Sequence, residues 1–324
     1  MTRLDADATE LHEAGTTCDG PRALLLESRE VPLGGVRAMS VHRALPQRDL
    51  PLVGAWCFLD RFGPQDTRMR VEPHPHIGLQ TVTWPLEGDI RHRDSIGSDV
   101  VLSRGALNLM TSGAGISHSE YSVGEDAVPL DALQLWVALP ESRRHGAAAF
   151  ERHEKLPSFP LADGAVATVV LGELAGVRSP ATVHTPIVGA EIRIPAGARV
   201  RVPLNPEWEY AILGVEGDVE VGTDADTRLT VDRRHLLYLG EGRSEIEVGS
   251  DADALLFLLG GEPFEDEIVM WWNFVGRTHE EIVQAREEWE AGSDRFGHVV
   301  DHGDERVPAP ALPTVRLTRR TRRV

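Results

Sequence analysis

The pentapeptide Leu86-Glu87-Gly88-Asp89-Ile90 returns 129 positions later as Val215-Glu216-Gly217-Asp218-Val219. The same displacement lays Leu107-Asn108-Leu109-Met110 on Leu236-Leu237-Tyr238-Leu239. Two segments agreeing at one offset suggest a duplicated unit of about 120 residues. No other feature constrains the fold as much, because both copies must then share one architecture.

That architecture reads as all-β. Runs of strand length recur: Ala55-Trp56-Cys57-Phe58-Leu59, Thr81-Val82-Thr83-Trp84, Leu133-Gln134-Leu135-Trp136-Val137 and, later, Val166 to Leu171 and Ala254 to Leu259. Gly, Pro, Asp or Ser interrupts them about every ten residues, the rhythm of a sandwich or barrel. The 31 glycines and 21 prolines fit frequent turns. Strands alternating with helices, as in βαβ units, are absent. The expected division is a flexible leader over 1–22, a first domain over 23–140, a charged linker over 141–162, a second domain over 163–262, and a C-terminal segment over 263–324. In that last segment Thr278 and Glu281 form a capping-box pattern. Ile282, Ala285 and Trp289 follow at helical spacing, which predicts a helix from about His279 to Glu290. The aromatic group Trp271-Trp272-Asn273-Phe274 reads as packing between domains or against a barrel wall.

The net charge is −18. It argues against general nucleic-acid binding, whose affinity comes mainly from phosphate attraction, and against an anionic membrane surface. One basic cluster, Arg316, Arg319, Arg320, Arg322 and Arg323, reads as a tail folding back on an acidic body. No apolar run is long enough to span a bilayer. The segment Met1 to Gly20 lacks the basic start and apolar stretch of a signal peptide, so a cytoplasmic location is expected. Cys18 and Cys57 have no CxxC partner, and a thiol active site is not expected.

The chemistry concentrates between His74 and Glu120. His74-Pro75-His76 opens this stretch and His118-Ser119-Glu120 closes it. Residues two apart on a strand share a face, and Pro75 favours extended backbone at His74. Two such pairs on neighbouring strands present three imidazoles and one carboxylate. That set suits first-row metals, with iron, zinc, manganese, nickel, cobalt and copper all open. An octahedral ion would keep two positions for substrate, water or dioxygen, whereas a structural zinc would be closed by the four. His92, in the cluster Arg91-His92-Arg93-Asp94-Ser95, reads as part of a polar network at a barrel mouth. His145, His153, His184, His235, His279, His298 and His302 read as ordinary surface or linker residues. At the 129-residue offset the four ligands fall on Pro203, Asn205, Glu247 and Gly249, so only the first copy should hold metal. Glu207 and Glu209 read as solvent-facing.

These motifs resemble one family. His74-Pro75-His76-Ile77-Gly78-Leu79-Gln80-Thr81-Val82-Thr83, Arg91-His92-Arg93-Asp94-Ser95 and Met110-Thr111-Ser112-Gly113-Ala114-Gly115-Ile116-Ser117-His118-Ser119-Glu120 are similar to the pirins in order and spacing. Phe58-Leu59-Asp60-Arg61-Phe62 is similar too. The resemblance implies a bicupin, two antiparallel jelly-roll-like β-barrels with a short C-terminal helical segment. It implies one iron, Fe(II), held in the first barrel by His74, His76, His118 and Glu120. Gln80 stands where some members have Glu, and Ala114 where Arg is common.

The resemblance leaves two functions open. One is an iron-dependent dioxygenase that opens a flavonol such as quercetin with O2, with Glu120 as the base. The other is a non-catalytic, metal- or redox-responsive module that binds a protein partner and regulates transcription or metabolism.

Overall fold

The computed structural model describes residues 20–33, 39–223 and 227–319. Each half of the chain folds into two facing antiparallel sheets. In the first half the larger sheet runs, in spatial order, Ala149–His153, Leu107–Thr111, Leu79–Glu87, Val128–Ala138, Trp56–Thr67, Met39–Leu45 and Arg29–Leu33. Its smaller sheet runs Arg70–His76, Ile116–Ser122, Ile90–Asp94 and Asp99–Leu102. The second half repeats both orders. Pro21–Glu27, His235–Gly240, Glu209–Glu216, Ala254–Gly261, Ile187–Ile194, Val166–Leu174 and Ser158–Pro160 form the larger sheet. Arg199–Pro203, Glu245–Gly249, Val219–Gly222 and Arg228–Val231 form the smaller. The duplication read from two pentapeptides is thus a duplicated barrel.

The barrels exchange edge strands. Pro21–Glu27 precedes the first barrel in sequence but pairs with His235–Gly240 of the second, Leu24 opposite Tyr238. Ala149–His153, inside the expected linker, takes the equivalent edge of the first barrel, Glu151 opposite Leu109. The expected boundaries therefore shift. Pro21 and Arg22, at the end of the expected leader, lie in a strand, and residues 1–19 fall outside the described residues. The linker became strand because the edges of both large sheets need a partner for their open backbone groups.

The barrels pack large sheet against large sheet. Val82, Trp84, Leu133 and Leu135 from one share a core with Ala211, Leu213, Tyr238 and Phe257 from the other. Strand alternation sends these residues to the interface and their neighbours into the barrels. Trp56 donates from Nε1 towards the Val188 carbonyl at 3.0 Å and the Gly260 carbonyl at 3.2 Å. Trp84 donates to Glu191 across the same interface at 2.9 Å. Glu209 is 0% exposed, contrary to its expected solvent position. Its carboxylate accepts from the Gly54 amide at 2.6 Å and the Tyr238 hydroxyl at 2.7 Å. Buried donors from both barrels give a charged side chain a place that strand alternation alone could not reveal.

The interiors differ. The second barrel is filled by Val200, Val202, Ile212, Val221, Ile246 and Val248. The first is lined by histidines, carboxylates, Thr83 and Gln134.

The C-terminal segment wraps back onto the first barrel. A hairpin of Val269–Trp271 and Phe274–Gly276 precedes the helix His279–Glu290. Thr278 caps the helix by accepting from the Glu281 amide. Phe274, Ile282, Trp289 and Phe296 pack with Ile77, so the aromatic group lies against the wall of the first barrel. At the end of the described chain, Arg316 pairs with Glu280 and Arg319 with Glu267, while Arg320, Arg322 and Arg323 lie outside the described residues. No helix among the described residues is long and apolar enough to cross a membrane.

Candidate metal centre

Three adjacent strands of the small sheet aim six ligand-type side chains into the first barrel. Arg70–His76 carries His74 and His76, Ile116–Ser122 carries His118 and Glu120, and Ile90–Asp94 carries His92 and Asp94. Register sets His74 opposite His118, and His118 opposite Asp94. Glu120 stands opposite His92. All six are buried.

His74, His76 and His118 come together as the sequence motif implies. The Nε2 atoms of His76 and His118 are 3.1 Å apart. Two ligands in adjacent positions on one ion, with bonds of about 2.1 Å, stand about 3.0 Å apart. The remaining ring nitrogens are spoken for. His74 Nδ1 lies 2.9 Å from the Glu72 carbonyl, and His76 Nδ1 lies 3.2 Å from the Asn273 carbonyl. A carbonyl only accepts, so both rings carry their proton on Nδ1 and keep an Nε2 lone pair. Backbone partners that orient a ligating imidazole in this way are a regular feature of metal sites.

Glu120 lies beside His118, the residue shared by both ligand groups. Its carboxylate groups with His92 and His118, and not with His74 and His76. Regular pairing with Ile90–Asp94 sets Glu120 opposite His92, while a β-bulge in the strand Arg70–His76, between Val71 and His74, interrupts its register with Ile116–Ser122. Thr83 Oγ1 lies 3.3 Å from Glu120 Oε1 and 2.9 Å from Gln134 Oε1.

Burial governs the electrostatics. It lowers His74 to about 4, with the Glu72 carbonyl opposing and His92 adding to the shift. It holds His76 and His118 well below the ordinary imidazole value, helped by the neighbouring imidazoles. The same burial raises the Glu120 carboxyl, against the pull of His92 and the Thr83 hydroxyl. Neutral imidazoles beside a carboxylate that is costly to ionise are a donor set that a cation completes. The residues present fit a metal ion.

His92 is the residue whose position the sequence left least defined. Its Nδ1 faces His118 Nδ1, its Nε2 lies 3.3 Å from Asp94 Oδ2, and its ring stacks on Phe150 at 4.6 Å. Burial alone would raise Asp94, but hydrogen bonds from His92 and Ser98 outweigh it and lower the carboxyl. Asn273 was also missed, because it acts through its carbonyl, which no side-chain pattern announces. Trp136 stands edge-on to His76 at 5.2 Å and stacks on Phe58 at 4.0 Å, a flat aromatic wall beside the site. Gln80 donates to Thr111 at 2.9 Å and to the Thr182 carbonyl at 3.1 Å. The Ala114 carbonyl accepts from Arg295 at 2.7 Å. Of the histidines expected at the surface, His302 is buried, its ring 5.5 Å from Tyr121.

The second barrel lacks the set, but its equivalent positions are not those given by a constant offset. Glu120 lies opposite His92, and Val248 lies opposite Val221. His118 lies opposite His74, and Ile246 opposite Val202. The ligands therefore correspond to Val202, Leu204, Ile246 and Val248, one residue earlier than Pro203, Asn205, Glu247 and Gly249. One residue of slip exchanges the faces of a strand, and the true equivalents are apolar core.

Comparison with known proteins agrees with this architecture. The Pirin family profile matches residues 38–137, and the Pirin C-terminal cupin domain profile matches residues 189–297. A Pseudomonas aeruginosa protein, provisionally named a quercetin 2,3-dioxygenase, is 40% identical over 290 residues, covering 88% of this chain and 89% of its own. Human pirin is 33% identical over 216 residues, covering 65% of this chain and 73% of its own. The crystal structure of quercetin 2,3-dioxygenase from Acinetobacter baumannii superposes with a TM-score of 0.85 at 38% identity, covering 92% of this chain and 98% of that one. With two cupin domains in series and, among the described residues, the histidine cluster confined to the first, this chain belongs to the pirin family.

Proposed function

We propose that the chain is an iron-dependent dioxygenase that opens a flavonol such as quercetin with O2. His74, His76 and His118 would hold Fe(II), with Glu120, beside His118, as fourth ligand and base. The observation that carries this reading is the convergence of three neutral imidazoles next to a buried carboxylate whose pKa is raised. Bound iron supplies Lewis acidity and the redox chemistry of oxygen. The Glu120 carboxylate would be the acceptor for the flavonol hydroxyl proton. Thr83, within reach of both Glu120 and Gln134, steadies the carboxylate through its hydroxyl. The Trp136 ring beside His76 offers apolar surface for the flat substrate. Aerobic turnover of quercetin by the iron-loaded chain, lost on chelation, supports this function; a fully loaded chain that leaves quercetin intact counts against it.

A second reading rests on a different observation. Asp94 Oδ1 accepts from the Ile96 amide at 3.0 Å and the Ser98 amide at 2.9 Å, which joins His118, through His92, to a turn bearing the exposed Ile96. A change at the metal would reach that turn and alter a protein-binding surface. Pull-downs with metal-free and iron-loaded protein that recover the same partners would exclude this role.

A further inference from the structure

We propose that the mouth of the second barrel binds a small, uncharged, flat aromatic molecule bearing a hydroxyl or carbonyl oxygen. A cavity of about 890 Å³ opens there, within the usual range for small-molecule sites. It lies at the end of the barrel that corresponds to the metal centre of the first. Leu204, the counterpart of His76, lines it. The second barrel has thus kept an opening at this end while its metal-binding floor became apolar.

The lining sets the ligand chemistry. Leu174, Ile187 and Leu204 supply aliphatic surface, and Trp208 and Tyr210 supply rings 6.4 Å apart and inclined by 31°. Two polar groups suit a ligand oxygen. Thr185 Oγ1 is buried and has no hydrogen-bond partner. The Tyr210 hydroxyl accepts from the Asn205 amide at 2.8 Å, which leaves its own proton to donate. The charged side chains at the rim, Arg178 and Glu173, neutralise each other at 2.6 Å. A neutral ligand therefore fits better than an ion.

The covering loop, residues 179–186, is held in place. Ser179 Oγ donates to the Val170 carbonyl at 2.9 Å, the Thr182 amide donates to Glu151 at 3.1 Å, and Gln80 holds the Thr182 carbonyl. The last two contacts come from the first barrel. The cavity is preformed, and binding does not have to order its walls.

The test is calorimetric titration of the metal-free, full-length chain with 2-naphthol. One saturable equivalent is expected, unchanged in His76→Ala. At least one of Thr185→Val and Tyr210→Phe, each of which keeps the shape of the site, should weaken binding about fivefold to tenfold. Val183→Trp, which fills the cavity, should abolish it. Absence of saturable binding by the unmodified chain overturns the proposal. So does an affinity unaltered by both Thr185→Val and Tyr210→Phe. Binding lost in His76→Ala but kept in those two variants would place the naphthol in the first barrel and equally overturn it. Quercetin turnover is unaffected by any of these outcomes, so the proposed activity stands or falls separately.

Discussion

The Nδ1 atoms of His118 and His92 lie 3.3 Å apart, and one proton must sit between them. His92 Nε2 faces the Asp94 carboxylate, which only accepts when ionised, so His92 carries its proton on Nε2. Its Nδ1 then accepts from His118 Nδ1, and His118 presents an Nε2 lone pair towards His76. The order Asp94, His92, His118 fixes the tautomer of the ligand at the centre of the cluster.

Replacing His92 should therefore weaken metal binding without unfolding the protein. His92→Phe keeps a ring against Phe150 but removes the acceptor for His118. Loss of such a supporting contact typically lowers affinity about 10-fold to 100-fold. Competition titration with a chromophoric chelator measures it, and an unaltered affinity would show that His118 needs no such support.

Acid should destabilise the metal-free protein. His74 titrates at about 4 in the fold against 6.5 when free, so between these values the unfolded chain binds more protons. Stability is fully present above about pH 6.5 and is lost as pH falls through 4, by roughly 3 kcal/mol for this residue. His76 and His118 act in the same direction. Glu120 opposes them, since its raised carboxyl takes up a proton in the fold first and relieves a buried charge as pH drops. Thermal melts of chelated protein from pH 7.5 to 4 should show a falling Tm, with a shallower slope in His74→Asn. A flat profile would contradict the buried, neutral imidazoles.

The two barrels should unfold as one unit, because Trp56, Trp84, Leu213 and Phe257 share a single core. Trp56→Phe removes donation towards Val188 and Gly260 and should cost about 1–3 kcal/mol. Urea denaturation should show one transition displaced to lower midpoint. Two separated transitions would mean that each barrel is stable alone.

Deleting residues 1–27 should damage the second barrel, although the deleted chain precedes the first. The strand His235–Gly240 would lose its partner and expose an unpaired edge. Sedimentation should reveal self-association absent from the full chain. A monodisperse, equally stable truncation would contradict the strand exchange.

Much of this was legible in the sequence where local rules apply. Spacing of two put His74 with His76, and the Thr278 cap placed the helix start. What escaped depends on partners distant in sequence. Pairing with Ile90–Asp94 sets Glu120 beside His92, and a one-residue slip replaces the expected Glu247 by Ile246. Glu209 was read as exposed because its donors, Gly54 and Tyr238, come from two different barrels. The strand Pro21–Glu27 alternates like an ordinary first strand, and nothing local says that its partner is Tyr238.

The most direct measurement is oxygen uptake with quercetin by protein loaded with Fe(II), compared with Glu120→Gln at equal bound iron. The expected result is stoichiometric uptake with loss of the flavonol absorbance, and a rate about 100-fold or more lower in the variant, as for loss of a general base. Iron-loaded protein that consumes no oxygen with quercetin, or a variant that is equally fast, would contradict a catalytic Glu120 at this centre.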